Sequence, residues 1–129
     1  MINTNVFDYI NVLDKAADAA WIRNEVIGNN ISNATTPGYV RQDVAFEAEL
    51  RKALGRGSIH NMDQRVASVK TYQLDPKPYK DNTGFEYRLD GNNVDPETEN
   101  VMLAENQITY QGLLSSITQE FRNLQAVMK

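Results

Sequence analysis

The sequence contains no cysteine and only one histidine, His60. Disulfide bonds, thiolate-bound zinc, iron–sulfur clusters and thiol catalysis are therefore excluded, and a metal site would depend on carboxylates. Basic residues are also few, with 13 Lys plus Arg against 17 Asp plus Glu. An acidic chain has no basic field to hold a phosphate backbone, so we expect no nucleic-acid partner.

Long apolar runs are absent as well. No stretch approaches the ~20 apolar residues that a membrane-spanning helix needs. The first thirty residues lack a basic segment followed by an apolar one, so we expect no cleavable signal peptide.

Residues suited to catalysis do not form a recognisable pattern. His60 lies in a predicted loop, and no serine has a nucleophile-elbow motif around it. Glu97, Glu99 and Glu105 lack the Glu-x-x-His spacing of carboxylate metal bundles. The loop Gly55–Gly57 lacks the lysine of a phosphate-binding loop. We therefore expect no catalytic residue, no metal ligand, no cofactor and no small-molecule substrate, so the protein is not expected to be an enzyme.

Apolar residues recur near both ends of the chain at alternating spacings of four and three, which is a heptad pattern. The pattern predicts one helix from about residue 5 to 32 and another from Pro96 to about Val127, the latter started by Asp95 as a cap. The N-terminal seam, interrupted by Asn24, comprises Val6, Ile10, Leu13, Ala17, Ala20, Ile27 and Ile31. The C-terminal seam, interrupted by Gln107, comprises Leu103, Tyr110, Leu114, Ile117, Phe121, Leu124 and Met128.

Both seams have the narrow width of a coiled-coil contact. We expect a mainly α fold in which the long N- and C-terminal helices pack as a coiled coil around a small strand-containing middle segment. Apolar residues outside the seams predict contacts with further helices from other copies of the chain: Phe7, Trp21, Val101, Ile108 and Leu113. A monomeric helical hairpin that covers a small sheet is the alternative.

The helical period disappears in the middle segment. The predicted division is a helix at 1–33, a crossing and β-containing segment at 34–95, and a helix at 96–129. The segment Thr36–Tyr39 has proline and glycine where a type II turn needs them. We expect extended chain before Phe46, a short helix from Phe46 to Leu54, and extended chain where branched or aromatic residues cluster, at Val66–Leu74 and at Phe85, Tyr87 and Leu89.

The segment 28–39, GNNISNATTPGY, closely resembles the signature of the bacterial flagellar axial proteins, which include rod, hook and hook-associated subunits. The signature residues are Asn29, Asn30, Asn33, Thr36, Pro37, Gly38 and Tyr39, whereas Ser32 replaces the usual alanine. The heptads at both ends extend the resemblance to the whole chain. The chain is too short for the family members with large middle domains. The segments 39–50 and 90–95 resemble those of a small subunit of the proximal rod.

The resemblance implies a structural subunit of the flagellar basal-body rod that assembles through its terminal helices, transmits torque and lines the export channel. It implies export from the cytoplasm through the type III apparatus without a cleavable signal peptide. The implied partners are copies of the chain, other rod proteins, the rod-to-ring adaptor and the membrane-embedded ring. We expect the terminal helices to be mobile in the free monomer and to fold on assembly. The rival interpretation is a soluble coiled-coil export chaperone or adaptor.

Roles for the signature residues follow from their chemistry. Asn29, Asn30 and Asn33 are placed to bond the last carbonyls of the first helix or a neighbouring subunit, and the sequence leaves both alternatives open. Pro37 and Gly38 redirect the chain. We expect Leu114, Ile117, Phe121 and Leu124 to form the centre of the packing seam.

Overall fold

The computed structural model describes residues 6–55, 61–83 and 89–128. The chain forms α1 (Val6–Ser32), β1 (Gln42–Val44), α2 (Phe46–Gly55), α3 (Met62–Ser68), a 3-10 turn (Thr71–Gln73), β2 (Pro78–Lys80) and α4 (Pro96–Val127). The expected mainly α fold, with long terminal helices and a small strand-containing middle segment, is confirmed.

The two terminal helices pack against each other in opposite directions. Asn30, near the end of α1, bonds Glu99 in the first turn of α4, and Ala20 bonds Asn106 further along. The start of α4 is capped as predicted, because the Asp95 carboxylate accepts hydrogen bonds from the backbone N–H of Glu97 and the hydroxyl of Thr98. Pro96 occupies the first turn, where its missing N–H costs nothing.

The middle segment packs against a second face of α1. Strands β1 and β2 pair antiparallel, with Asp43 opposite Tyr79. Val44 of β1, Phe46 of α2 and Leu74, which follows the 3-10 turn, meet Ala19 and Val26 of α1 in a buried cluster. Helix α1 therefore buries two faces, one against α4 and one against the middle segment, which is more than a two-helix coiled coil requires.

The expected extended chain at Val66–Leu74 is wrong. This segment completes α3 and continues into the 3-10 turn. The side chain of Asn61 caps α3 by accepting a hydrogen bond from the N–H of Gln64 at 2.9 Å, and burial of Val66 holds one face of the helix. Branched residues disfavour a helix only slightly, so the cap and the packing decide the outcome.

The second strand instead begins at Pro78, at the end of the proline-containing stretch Asp75–Pro78. A proline at the start of an edge strand is tolerated because its missing N–H faces no partner. Phe85 and Tyr87 lie outside the described residues, and Leu89 is exposed.

None of the helices in the described ranges has both the length and the apolar character needed to cross a membrane.

Candidate assembly site

The turn after α1 has the predicted geometry. Gly38 has a φ of 74°, which side chains with a Cβ resist, and the N–H of Tyr39 donates to the carbonyl of Thr36 at 3.3 Å. The N–H of Gly38 also donates to the carbonyl of Asp90 at 2.8 Å. The turn therefore redirects the chain and brings it beside the segment that leads into α4.

Asn30 connects three elements at the end of α1. Its side chain is fully buried, and its amide group exchanges two hydrogen bonds with the backbone of Gln42, donating at 2.8 Å and accepting at 2.9 Å. It also donates to Glu99 and accepts from the hydroxyl of Tyr39. In the described subunit Asn30 therefore binds the crossing and α4, and neither caps its own helix nor faces outward.

Asn33 and Asn29 behave differently from Asn30. The side-chain amide of Asn33 donates to the carbonyl of Asn29 at 2.8 Å, so Asn33 caps its own helix. The side-chain oxygen of Asn33 accepts a hydrogen bond from the hydroxyl of Thr36. Asn29 is exposed at the surface.

An ion pair is buried beneath this turn. Glu99 is only 1% exposed, and its carboxylate accepts a hydrogen bond from Nε of Arg41 at 2.6 Å. Arg41 also donates to Asp81 at 2.5 Å. Burial alone lowers the pKa of Arg41, but the bonds to Glu99 and Asp81 outweigh it and leave that pKa above its ordinary value.

Two further asparagines complete this arrangement. Asn92 is buried and donates to the carbonyls of Asn33, Ala34 and Thr36 at 2.8–3.1 Å. Asn93 donates to the carbonyl of Asp81 at 2.6 Å and accepts from the N–H of Arg41 at 2.7 Å. We call this group the polar junction: Asn30, Arg41, Asp81, Asn92, Asn93 and Glu99. It holds the end of α1, the strands and the start of α4 in one arrangement.

Sequence reasoning did not find the polar junction. In the sequence Glu99 is only one of several acidic residues near the start of α4, whereas in the fold it is the buried partner of Arg41. The one sequence signal is the grouping of asparagines at residues 29–33 and 92–93, because these groups flank the middle segment and meet in the fold. The pairing of Arg41 with Glu99 across 58 residues has no local signal.

A second cation fixes the position of α2 on α1. Arg23 donates to both carboxylate oxygens of Glu47 at 2.6–2.7 Å and to the carbonyl of Val44 at 2.5 Å. The hydrogen bond from Arg23, opposed in part by desolvation, lowers the pKa of Glu47 below its ordinary value. Tyr9 bonds Asp63 and joins α1 to α3.

Most described members of the N-terminal seam are buried. Ile10, Ala17, Ala20 and Ile27 are buried, whereas Leu13 and Ile31 are half-buried. The side chain of Val6 lies outside the described residues. The described part of this seam therefore lies within the subunit.

The C-terminal seam divides into two halves. Leu103, Tyr110, Ile117 and Leu124 are half-buried, whereas Leu114 is 42% exposed, Phe121 is 49% exposed and Met128 is exposed. The buried residues of α4 are Glu99 and Asn106, which the seam did not include. The exposed members alternate with the half-buried ones and lie along one edge of the seam, so α1 covers only the other edge. We call Leu114, Phe121 and Met128 the flanking stripe.

The expected apolar residues outside the seams are exposed for the most part. Phe7, Val101 and Ile108 are exposed, and Leu113 is half-buried. Trp21 is 54% exposed, and its ring contacts that of Tyr110 at 5.9 Å between centroids. The surface thus offers apolar contact area on both terminal helices.

Within the described ranges, no group of three or more His, Asp or Glu residues is arranged to hold a metal ion.

Comparison with known proteins defines the class. The family model described as "Flagella basal body rod protein" matches residues 10–39, which cover most of α1 and the turn at Gly38. Flagellar basal body rod protein FlgB of Escherichia coli K12 is 32% identical over 114 residues, covering 83% of each chain. FlgB of Bacillus subtilis 168 is 32% identical over 119 residues and 92% of each chain. FlgB of Cereibacter sphaeroides is 31% identical over 127 residues and 98% of each chain.

The chain therefore belongs to the FlgB family of flagellar basal body rod proteins. It is a structural rod subunit, and these relatives give no support to the rival interpretation as an export chaperone.

Proposed function

We propose that this rod subunit assembles through its two terminal helices, residues 1–33 and 96–129, with residues 34–95 as the segment between them. The observation that carries this proposal is the flanking stripe. Leu114 and Phe121 are each about half exposed on a helix whose other face packs on α1. Fully burying such side chains contributes about 1.5–3 kcal/mol each, so covering the exposed half stabilises the contact by about 0.7–1.5 kcal/mol per residue.

The neighbours in this proposal are copies of the chain and other rod proteins, at the proximal end of the rod. There the subunit meets the rod-to-ring adaptor and the membrane-embedded ring, after export through the type III apparatus without a cleavable signal peptide. The subunit lies in the basal body, where its terminal helices line the export channel. Family membership supports this location, and the proposed role involves no catalysis, cofactor, nucleic acid or small-molecule substrate.

Torque transmission is part of the proposal. A subunit that transmits torque must resist bending between its axial helices and the segment that joins them. The polar junction supports this role because Arg41 bonds Glu99 on α4 and Asp81 beyond β2, while Asn30 bonds α1 to β1. Buried polar groups of this kind are costly to separate once they are paired.

The test is a charge in the flanking stripe. We expect Phe121→Glu to fold normally as a free subunit, because the side chain is half in solvent. We expect the variant to be absent from isolated basal bodies and the cells that carry it not to swim. Phe121 is a sharper target than Ile117, which is half-buried within the subunit. The matched control is Ser115→Glu, an exposed position on the same helix with the same added charge. Normal incorporation of Phe121→Glu would contradict assembly through this face.

A further inference from the structure

A groove on the surface of the subunit lacks an occupant among the described residues. Its volume is roughly 510 Å³, and small residues of α1 form its floor. Helices α2 and α3 form one wall, and α4 forms the other. We call it the alanine groove; its main lining residues are Ala16, Ala19, Ala20, Leu50, Leu54 and Leu113.

A buried acceptor beside the groove has no donor among the described residues. Asn106 lines the groove and is 5% exposed. Its amide nitrogen donates to the carbonyl of Ala20 at 2.7 Å, which fixes the orientation of the amide group. The opposite atom, Oδ1, finds no hydrogen-bond partner in the described part of the chain. Because buried acceptors are normally paired, this oxygen favours a ligand that brings an N–H or O–H donor. Since Oδ1 is closed to solvent, the side chains that line the groove must shift to let the donor reach it.

The groove also carries positive charge. Arg51 and Arg65 line it, Arg51 is exposed, and Nε of Arg65 is buried with no hydrogen-bond partner within the described ranges. Arg23 also lines the groove, but Glu47 already pairs with it. The occupant that fits is therefore apolar at its centre, donates one hydrogen bond and carries carboxylates at its edges.

The same chain presents such a surface on α1. Asp14, Asp18, Trp21 and Glu25 follow each other at spacings of four, three and four, and all four are exposed. We call them the acidic stripe. Asp14 and Asp18 each lie two residues from a floor residue of the groove, which is about 200° around a helix. The acidic stripe and the alanine groove therefore lie on opposite sides of α1.

We propose that the acidic stripe of one copy of this chain docks in the alanine groove of the next copy. The indole of Trp21 enters the groove over the alanine floor, and its N–H donates to Oδ1 of Asn106. The carboxylates of the stripe face Arg51 and Arg65. The indole N–H fits because it is a donor only, and in the described residues it makes no hydrogen bond of its own.

The position of the two surfaces determines the kind of assembly. A contact between two different faces is heterologous, so each added copy leaves one groove and one stripe free for the next. Such a contact continues into a ring or a helical array and does not stop at a dimer. The proposal rests on the proposed function, because it names the surface by which a rod subunit meets its own copies.

Engineered cysteines test the contact without background cross-linking, because the chain has no cysteine of its own. Glu25→Cys places a thiol on the stripe and Arg51→Cys places one at the groove. Mixing the two single variants, at high concentration or in isolated basal bodies, is expected to give disulfide-linked dimers, and the double variant a ladder. The matched control replaces Glu25→Cys by Asn100→Cys, an exposed position on α4 outside both surfaces. Cross-linking no stronger than this control overturns the proposal.

The single tryptophan gives a second readout. Emission from Trp21 is expected to shift to shorter wavelength as the subunit self-associates, because the indole leaves water. Asp18→Lys is expected to weaken self-association roughly tenfold, and the added change Arg51→Glu to restore it. Circular dichroism of each variant confirms that it is folded. Absence of both the shift and the rescue in folded protein overturns the proposal.

Failure of this inference is separable from failure of the proposed function. If the tagged wild-type chain is present in basal bodies and the cysteine pair does not link, the second-copy contact is wrong and the rod function stands. If Arg51→Cys, carrying a cross-linker that joins its thiol to nearby amines, links to a different rod protein instead, the occupant is that protein and the proposal is overturned. If the wild-type chain is absent from basal bodies, the proposed function itself fails.

Discussion

The ion pair between Arg41 and Glu99 is the contact whose loss we expect to destabilise the subunit most. Arg41→Met keeps a long apolar side chain and removes the charge and its donors. Glu99, 1% exposed, then loses the 2.6 Å bond from Arg41 and keeps only the 3.2 Å bond from Asn30. Asp81 loses its bond from Arg41 at the same time. The variant therefore leaves a buried carboxylate without a cation.

The magnitude follows from the cost of an unpaired buried charge. Removing one partner of a buried pair costs about 3–5 kcal/mol, which is about two to four powers of ten in the folded-to-unfolded ratio. A chain of 129 residues has a total stability of about 6–19 kcal/mol at typical values per residue. The substitution thus removes a large part of the free energy of unfolding.

Urea unfolding followed by far-ultraviolet circular dichroism measures this loss. With a slope of about 2 kcal/mol per molar urea, the midpoint is expected to fall by about 1.5–2.5 M. The double variant Arg41→Met with Glu99→Gln removes both charges and is expected to recover about 1–2 kcal/mol of the loss. The control is Lys52→Met, which breaks only an exposed pair with Glu49 and should change stability by less than about 0.5 kcal/mol.

Two results would refute this reasoning. One is a loss below about 1 kcal/mol in Arg41→Met, since an uncompensated buried charge costs more than that. The other is a double variant that is no more stable than Arg41→Met, because the penalty then does not come from the charge left on Glu99.

Three further predictions concern the turn, the response to acid and the mobility of α4. Gly38→Val is expected to lower the free energy of unfolding by about 1–3 kcal/mol and to impair rod assembly, because a branched residue resists the φ of 74°. Gly38→Asn should have a milder effect. Equal motility of cells that carry either variant would contradict the turn at Gly38. The hydrogen bond from Arg23 lowers the pKa of Glu47 from its ordinary value of 4.5, so the pair contributes stability that is present above the ordinary pKa and lost as pH falls through the lower folded value. Acid titration of stability should therefore be flatter in Arg23→Gln, and an unchanged profile would contradict the pairing. The packing of α4 on α1 narrows the mobility expected from the sequence to one part of α4. Hydrogen exchange on the free subunit should show strong protection near Asn106 and weak protection beyond Leu114, and uniform protection of α4 would contradict this.

The local features of the fold could be read from the sequence because their causes act over a few residues. The heptad spacing and the cap at Asp95 predict both long helices to within about two residues of their observed ends. The turn at Gly38 is equally local, since only a residue without a Cβ adopts its φ readily. The failure at Val66–Leu74 shows the limit, because residue preference there was weaker than the cap at Asn61 and the burial of Val66.

The sequence by itself determined the long helices, the turn between them and the family to which the chain belongs. Only the tertiary structure decided that Arg41 meets Glu99, that Asn30 faces inward, and that three of the seven residues of the C-terminal seam are exposed. The physical reason is the range of the forces: helical period, caps and φ preferences are settled within a turn or two of chain. Pairing between residues far apart in sequence, and the side of α4 that meets α1, depend on how whole elements pack.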